Sequence, residues 1–136
     1  MGKNFKWYGA RVKRKVKAGM GRNVMFAAEF LASDIRGKFP ASGQSGTRSG
    51  GGDVRNASEA GGIPHVQTAH LKRNIGTAKK GKTSARVGTG IGSRASVGYA
   101  LWLEYGTRSM AARPFLRPGL KRNKRPITKI MTRKVI

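Results

Sequence analysis

Three groups of residues have the types and spacing of chemical sites, and each is weighed against what its mechanism requires. Gly76-Thr77-Ala78-Lys79-Lys80-Gly81-Lys82-Thr83 fits the phosphate-binding pattern G-x-x-x-x-G-K-[ST] letter for letter. That chemistry needs a buried strand before the loop and a helix after it, so that backbone N–H groups and the helix dipole converge on the phosphates. Here His70-Leu71-Lys72-Arg73-Asn74-Ile75 precedes the loop and is polar and helix-like, while Ser84–Gly92 follows it and is strand-like. The only acid after Thr83 is Glu104, so the aspartate that would hold magnesium is missing. The segment reads as a basic surface turn.

His65 and His70 lie five apart with no cysteine or acid at ligand spacing, short of the three protein ligands of a catalytic zinc site. Glu29 and Asp34, also five apart, do not share a helix face cleanly and are expected to pair with neighbouring lysines. No Ser-His-Asp set emerges, and a nuclease would need several carboxylates for Mg²⁺. Asn56-Ala57-Ser58 matches a glycosylation acceptor, which means nothing without secretion. The expectation is a non-enzymatic chain with no cofactor, no metal and no catalytic residue.

Glu104 stands apart. It is the single acid among ten basic residues between positions 61 and 120, inside the most apolar segment, Tyr99-Ala100-Leu101-Trp102-Leu103-Glu104-Tyr105. An isolated charge there is costly, so it must be paired. Arg108, Arg113 and Arg117 are the candidate partners. The pair either fixes the following loop or makes an intersubunit contact.

The elements that position these residues follow from periodicity. Val12, Val16, Met20, Val24, Ala27, Leu31 and Ile35 recur at intervals of three or four, which predicts a long helix over 10–38. Gly19 and Gly21 inside it each weaken it by about 1 kcal/mol relative to Ala, and a bend is expected there. Gly37 and Pro40 end it. Seven glycines between 41 and 62 predict a flexible arm, with Ser42–Asn56 ordering only on contact with a neighbour. A short helix is expected over Ala69–Ile75. Thr83–Gly88 and Ser93–Gly98 read as two strands of a hairpin turning at Gly90-Ile91-Gly92. A terminal helix begins near Pro126, which suits a first turn. These elements make a single domain over 1–136: a long N-terminal helix, a long Gly-rich loop, a short helix and a hairpin within 63–120, and a basic C-terminal helix or tail over 121–136.

Composition narrows the partners. The hydrophobic share of 38% supports one modest core. No apolar run approaches the roughly 18 residues of a membrane span, no secretory signal is expected, and there are no cysteines. Twenty-nine basic residues face five acids, a formal +24. Residues 1–23 hold eight cations and no acid, and residues 121–136 hold seven and no acid. Lys3, Lys6, Arg11, Lys13, Arg14, Lys15 and Lys17 at one end, and Lys121, Arg122, Lys124 and Arg125 at the other, form two basic arms. Self-repulsion of this size needs a polyanion or an acidic protein surface to relieve it.

A resemblance adds to this. Tyr99-Ala100 leading to Glu104-Tyr105-Gly106-Thr107, then Met110 and Arg113-Pro114-Phe115-Leu116-Arg117-Pro118, resembles the signature of the tail-completion and head–tail joining (neck) family of long-tailed double-stranded-DNA bacteriophages. Pro64-His65-Val66-Gln67-Thr68-Ala69-His70-Leu71-Lys72-Arg73-Asn74-Ile75 is similar to a second element of that family, with Ala69 where Gly is usual and Asn74 where Ser is usual. The resemblance covers about residues 62–120. It implies a small α+β virion subunit, with a long N-terminal helix on a small, mostly antiparallel sheet, a core over 63–120 and a C-terminal helix, assembled as a hexameric ring between head connector and tail tube, through which DNA passes, with no catalytic residues. Tyr99, Trp102, Glu104, Tyr105, Gly106, Thr107, Arg113, Pro114, Phe115, Arg117 and Pro118 are then the structural and interface residues. The implied partners are further copies of the chain, acidic surfaces of neighbouring neck and tail-tube proteins, and genomic DNA transiently in the lumen, with no membrane. Charge alone supports a different reading, a ribosomal or chromatin-like nucleic-acid-binding protein that grips phosphates and stacks bases with Phe5, Trp7 and Tyr8.

Overall fold

The structure, a computed structural model, describes residues 8–39, 60–63, 70–91 and 98–133. It is an α+β fold: a long N-terminal helix, a two-stranded antiparallel sheet and a set of short C-terminal helices. In chain order these are α1 (Gly9–Gly37), α2 (His70–Asn74), β1 (Ile75–Gly81), β2 (Ser84–Thr89), α3 (Tyr99–Tyr105), α4 (Leu116–Arg122) and α5 (Lys124–Met131). The expected Gly-rich arm at Ser42–Asn56 lies outside the described residues, as do His65, Lys3 and Lys6.

Helix α1 spans 29 residues, about 44 Å at 1.5 Å per residue, and runs unbroken through both internal glycines. Gly21 has a packing role that the sequence did not reveal. A Cβ there would sit 2.5 Å from the backbone carbonyl oxygen of Lys82, so the missing side chain lets the hairpin turn lie directly on the helix.

The apolar stripe of α1 divides in two. From Ala27 onward it is core: Ala27, Ala28, Leu31, Ala32 and Ile35 are buried. Upstream, Val12 is 57% exposed, Met20 is exposed, and Val16 and Val24 are only half-buried. No residue from Gly9 to Ala18 is buried. The periodicity marks a helix face correctly, but the body of the domain covers only its second half. The leading turns also lack ordinary support. Tyr8 caps without a side-chain hydrogen bond and the first turn has no acid. Like-charged pairs Arg11/Lys15 and Lys13/Lys17, each four apart, cost about 0.2–0.5 kcal/mol apiece, and Arg11 opposes the helix dipole.

The hairpin corrects the expected strand pairing. β2 coincides with the anticipated strand at Thr83–Gly88, but its partner is β1 upstream, with Ile75 opposite Thr89 and Gly81 opposite Ser84. Lys82 and Thr83 form the two-residue turn. Of the downstream strand expected over Ser93–Gly98, residues 93–97 lie outside the described residues, and Gly98 leads directly into α3. β1 was hidden because its sequence, IGTAKKG, sets only Ile75 and Thr77 of the strand-favouring types beside two glycines and two lysines. Its pairing depends instead on α1, which packs across both strands. Ile75, expected to close the short helix, begins β1 and is wholly buried. The phosphate-binding pattern is thus strand, turn and second strand, with no helix to aim N–H groups at a phosphate.

Leu31, Ala32, Ile35, Phe39, Leu71, Ile75, Ala100 and Phe115 form the core, flanked by Ile63, Val87, Leu103, Leu116 and Ile127. Phe39 and Phe115 meet edge to face with centroids 5.6 Å apart, joining the end of α1 to the start of α4. Among the described residues ten apolar side chains are buried, and four of them are alanines, so six larger side chains fill a small core. α5 lies against α1, where the Asn23 side-chain amide donates to the carbonyls of Met131 (3.4 Å) and Arg133 (3.0 Å). Pro126 falls in its first turn, where a missing N–H leaves no helical bond unmade.

Candidate assembly surface

The site grows from one buried acid. On α3, Ala100 and Glu104 are one turn apart and both face inward, Glu104 being only 4% exposed. Its carboxylate accepts from the backbone N–H groups of Phe115 (2.8 Å) and Leu116 (3.0 Å) on Oε2 and of Arg117 (3.0 Å) on Oε1. Arg117 Nε donates to Oε1 at 3.1 Å, and Arg117 Nη2 donates to the Glu104 carbonyl at 2.9 Å. Phe115, the residue that opens α4, supplies no side-chain cap. Glu104 therefore caps α4 from a distance, satisfying N–H groups that every helix start leaves open. Pro118, next in line, has no N–H to satisfy. This gives the Arg113–Pro118 block a physical meaning: three consecutive donors, then a proline.

The connecting loop is held as tightly. Gly106 ends α3 at φ +78°, its N–H donating to the Trp102 carbonyl at 2.7 Å. A Cβ at Gly106 would lie 2.9 Å from both the Ala112 nitrogen and the Met110 oxygen, so only glycine fits the turn. Thr107 closes the next turn, its N–H donating to the Met110 carbonyl (2.9 Å) and its Oγ1 accepting from the Met110 N–H (3.1 Å). Arg113 N–H returns to the Leu103 carbonyl. Pro114 is half-buried and Phe115 enters the core.

With Ala100 and Glu104 turned inward, the opposite face of α3 points outward and is apolar. Leu101 is 62% exposed, Trp102 57% and Tyr105 64%, with Tyr99 beside them. The Arg117 guanidinium lies 4.5 Å from the Tyr105 ring centroid, so one arginine joins the acid, the backbone and the aromatic face. Phe26 (68% exposed) and Phe30 lie outward on α1. Exposed aromatic side chains grouped on α3 make that face a candidate interaction surface.

Of the three candidate partners for Glu104, the structure brings together Glu104 and Arg117. Arg108 is exposed, and the Arg113 Nε is buried without a hydrogen-bond partner. Sequence reading saw the charge pair and missed the three backbone donors, because a carboxylate capping a helix eleven or more residues away leaves no spacing signature. The other acids correct an expectation. Glu29 accepts from the Thr77 hydroxyl and lies 4.0 Å from Arg36. Asp34 accepts from Arg122 and from the Asn123 amide (2.7 Å). Arginines, with their wider donor fork, take the place of the expected lysines. Asn123, buried at the joint between α4 and α5, also donates to the Gly119 carbonyl at 2.9 Å. It makes no side-chain cap to α5, and nothing in the sequence marked it.

The cations lie outside. Arg11, Lys13, Arg14, Lys15 and Lys17 are exposed on the leading turns of α1, and Lys121, Lys124 and Arg125 on α4 and α5; Arg122 is engaged with Asp34. His70 is exposed at the start of α2. Among the described residues no three His, Cys, Asp or Glu side chains are grouped to hold a metal, and no helix is long and apolar enough to cross a membrane.

Both clasping acids titrate low. Burial pushes Glu104 up, but the Leu116, Phe115 and Arg117 N–H groups and the Arg117 side chain outweigh it and hold the carboxyl below its ordinary value. For Asp34 the Arg122 hydrogen bond leads, opposed by burial and aided by Asn123. A depressed folded pKa gives stability that is complete above the unfolded value and lost as pH falls through the folded one. The melting temperature should therefore hold from neutral pH to about pH 5 and drop below about pH 4. A midpoint flat down to pH 2 would show that neither clasp contributes.

Compared with family models, characterised proteins and solved structures, the chain matches none of them, so the reading of this surface rests on its own residues.

Proposed function

We propose that this chain is a structural subunit of a bacteriophage neck, a tail-completion or head–tail joining protein of tail-terminator type. It assembles into a ring of about six copies between head connector and tail tube, and the genome passes through it. Its work is done in the virion, after assembly in the host cytoplasm, and it catalyses nothing. The observation that carries the reading is the Glu104 clasp. The residues that resemble the neck signature form one physical unit, which caps α4 and turns Leu101, Trp102 and Tyr105 outward. A small core beside so much exposed apolar surface suits a subunit completed by its neighbours. The cations meet acidic surfaces of adjoining neck and tail-tube proteins, with DNA only a transient occupant of the lumen.

The rival reading, a nucleic-acid-binding protein, draws on one observation: the three acids among the described residues are all engaged with Arg36, Arg117 and Arg122, away from the exposed cations on the leading turns of α1. Size-exclusion light scattering, run alone and with purified tail tubes, separates the two. The proposal expects a multiple of the 14.7 kDa subunit. A monomer at every concentration that never joins tails would overturn it.

A further inference from the structure

The leading turns of α1 combine two features on different faces. Tyr8, Val12, Val16 and Met20 recur every four residues as an apolar stripe, of which only Val16 is half-buried and the rest are exposed. At 100° per residue, Lys13 and Lys17 flank the stripe on one side, and Arg11 and Lys15 on the other. Farther along, the helix is tied to the domain: Gly19 is buried, Gly21 lies on the hairpin turn and Asn23 on the end of α5.

We infer that these first turns of α1 are a docking helix for an acidic groove with an apolar floor on a partner protein. The inference rests on the reading above that the chain docks against acidic neighbours, and it names the segment and the mode. The stripe lies on the floor while the flanking cations meet carboxylates on both rims, the arrangement of an amphipathic helix in a groove. One feature favours protein over nucleic acid: a phosphate backbone matches the cations but offers nothing apolar to cover Val12 and Met20. The helix start is poorly supported on its own, with no side-chain cap, no first-turn acid and repeated like charges, so an anionic partner of either kind relieves that repulsion.

The test uses the full chain and three defined probes: poly-glutamate, a glutamate–tyrosine copolymer of equal length and similar charge, and a 20-base-pair DNA duplex. The full chain should bind the copolymer about tenfold more tightly than poly-glutamate. Val12→Ser combined with Val16→Ser should abolish that preference while leaving the melting temperature and duplex affinity unchanged. Lys13→Ala with Lys17→Ala should weaken binding to all three. Equal binding of the two polypeptides, or a preference that survives the serine pair, overturns the docking helix. So does tightest binding to the duplex, with affinity falling by orders of magnitude between 50 and 200 mM salt, which assigns these turns to nucleic acid. Light scattering of the same samples reads assembly separately. Rings that form normally while the copolymer preference is missing count against the docking helix alone, and a failure of assembly counts against the proposed function.

Discussion

Glu104→Ala should destabilise the fold by about 3–5 kcal/mol, from backbone donors that lose a charged acceptor. The reason differs from the one the sequence suggests. Arg117 is more than half exposed, with 59% of its side chain open to solvent, so water can solvate the charge left behind. The loss falls on the start of α4, where the N–H groups of Phe115, Leu116 and Arg117 lose their acceptor, the first of them buried and the others partly so. Phe115 also fills the core against Phe39, so loosening the start of α4 loosens the core. Glu104→Gln keeps an acceptor oxygen but places an amide NH₂ among the donors, and should cost roughly half as much. Thermal and denaturant melts of both variants measure this. An unchanged midpoint for Glu104→Ala would mean that the clasp contributes nothing to stability.

Trp102→Glu should have the opposite profile. Trp102 is 57% exposed on the outward face of α3, so the monomer should melt within about 0.5 kcal/mol of the parent. If this face is where subunits meet, a buried tryptophan anchor there is worth about 2–4 kcal/mol per contact. Placing a carboxylate in an apolar contact adds a desolvation cost. The association constant should then fall by roughly 30-fold to 1,000-fold. Sedimentation across a concentration series reads association, and melting reads the fold. Unchanged association would remove α3 from the interface, and a matching loss of stability would make Trp102 a folding residue.

How legible the sequence was varied with the kind of signal. The extent of α1 was readable because a 3.6-residue period survives any surroundings, and the structure ends it at Gly37 as the Gly-Pro signal implies. Which half of its stripe is covered was not readable, because that depends on where α5 and the hairpin attach. The pairing of Glu104 with an arginine followed from the cost of an isolated buried charge. The choice of Arg117 over Arg108 and Arg113, and the capping of α4, arise from the turn at Gly106, a tertiary feature. The hairpin was misplaced because the two glycines at Gly90 and Gly92 outweighed a plainer turn at Lys82-Thr83. Strand β1 has almost no propensity of its own and exists because α1 packs on it. The helix at Leu116–Arg122 was hidden by Pro118 and Gly119, ordinarily helix breakers, which a first-turn position and close packing accommodate.

The face that Glu104 turns outward is the proposed seat of assembly. Electron microscopy of the purified full chain, alone and mixed with tail tubes, would show it. Closed rings of about six subunits with a central opening are expected, seated at one end of the tube and lost in Trp102→Glu. Separate monomers that leave the tubes bare, or particles that coat added DNA along its length, would contradict it.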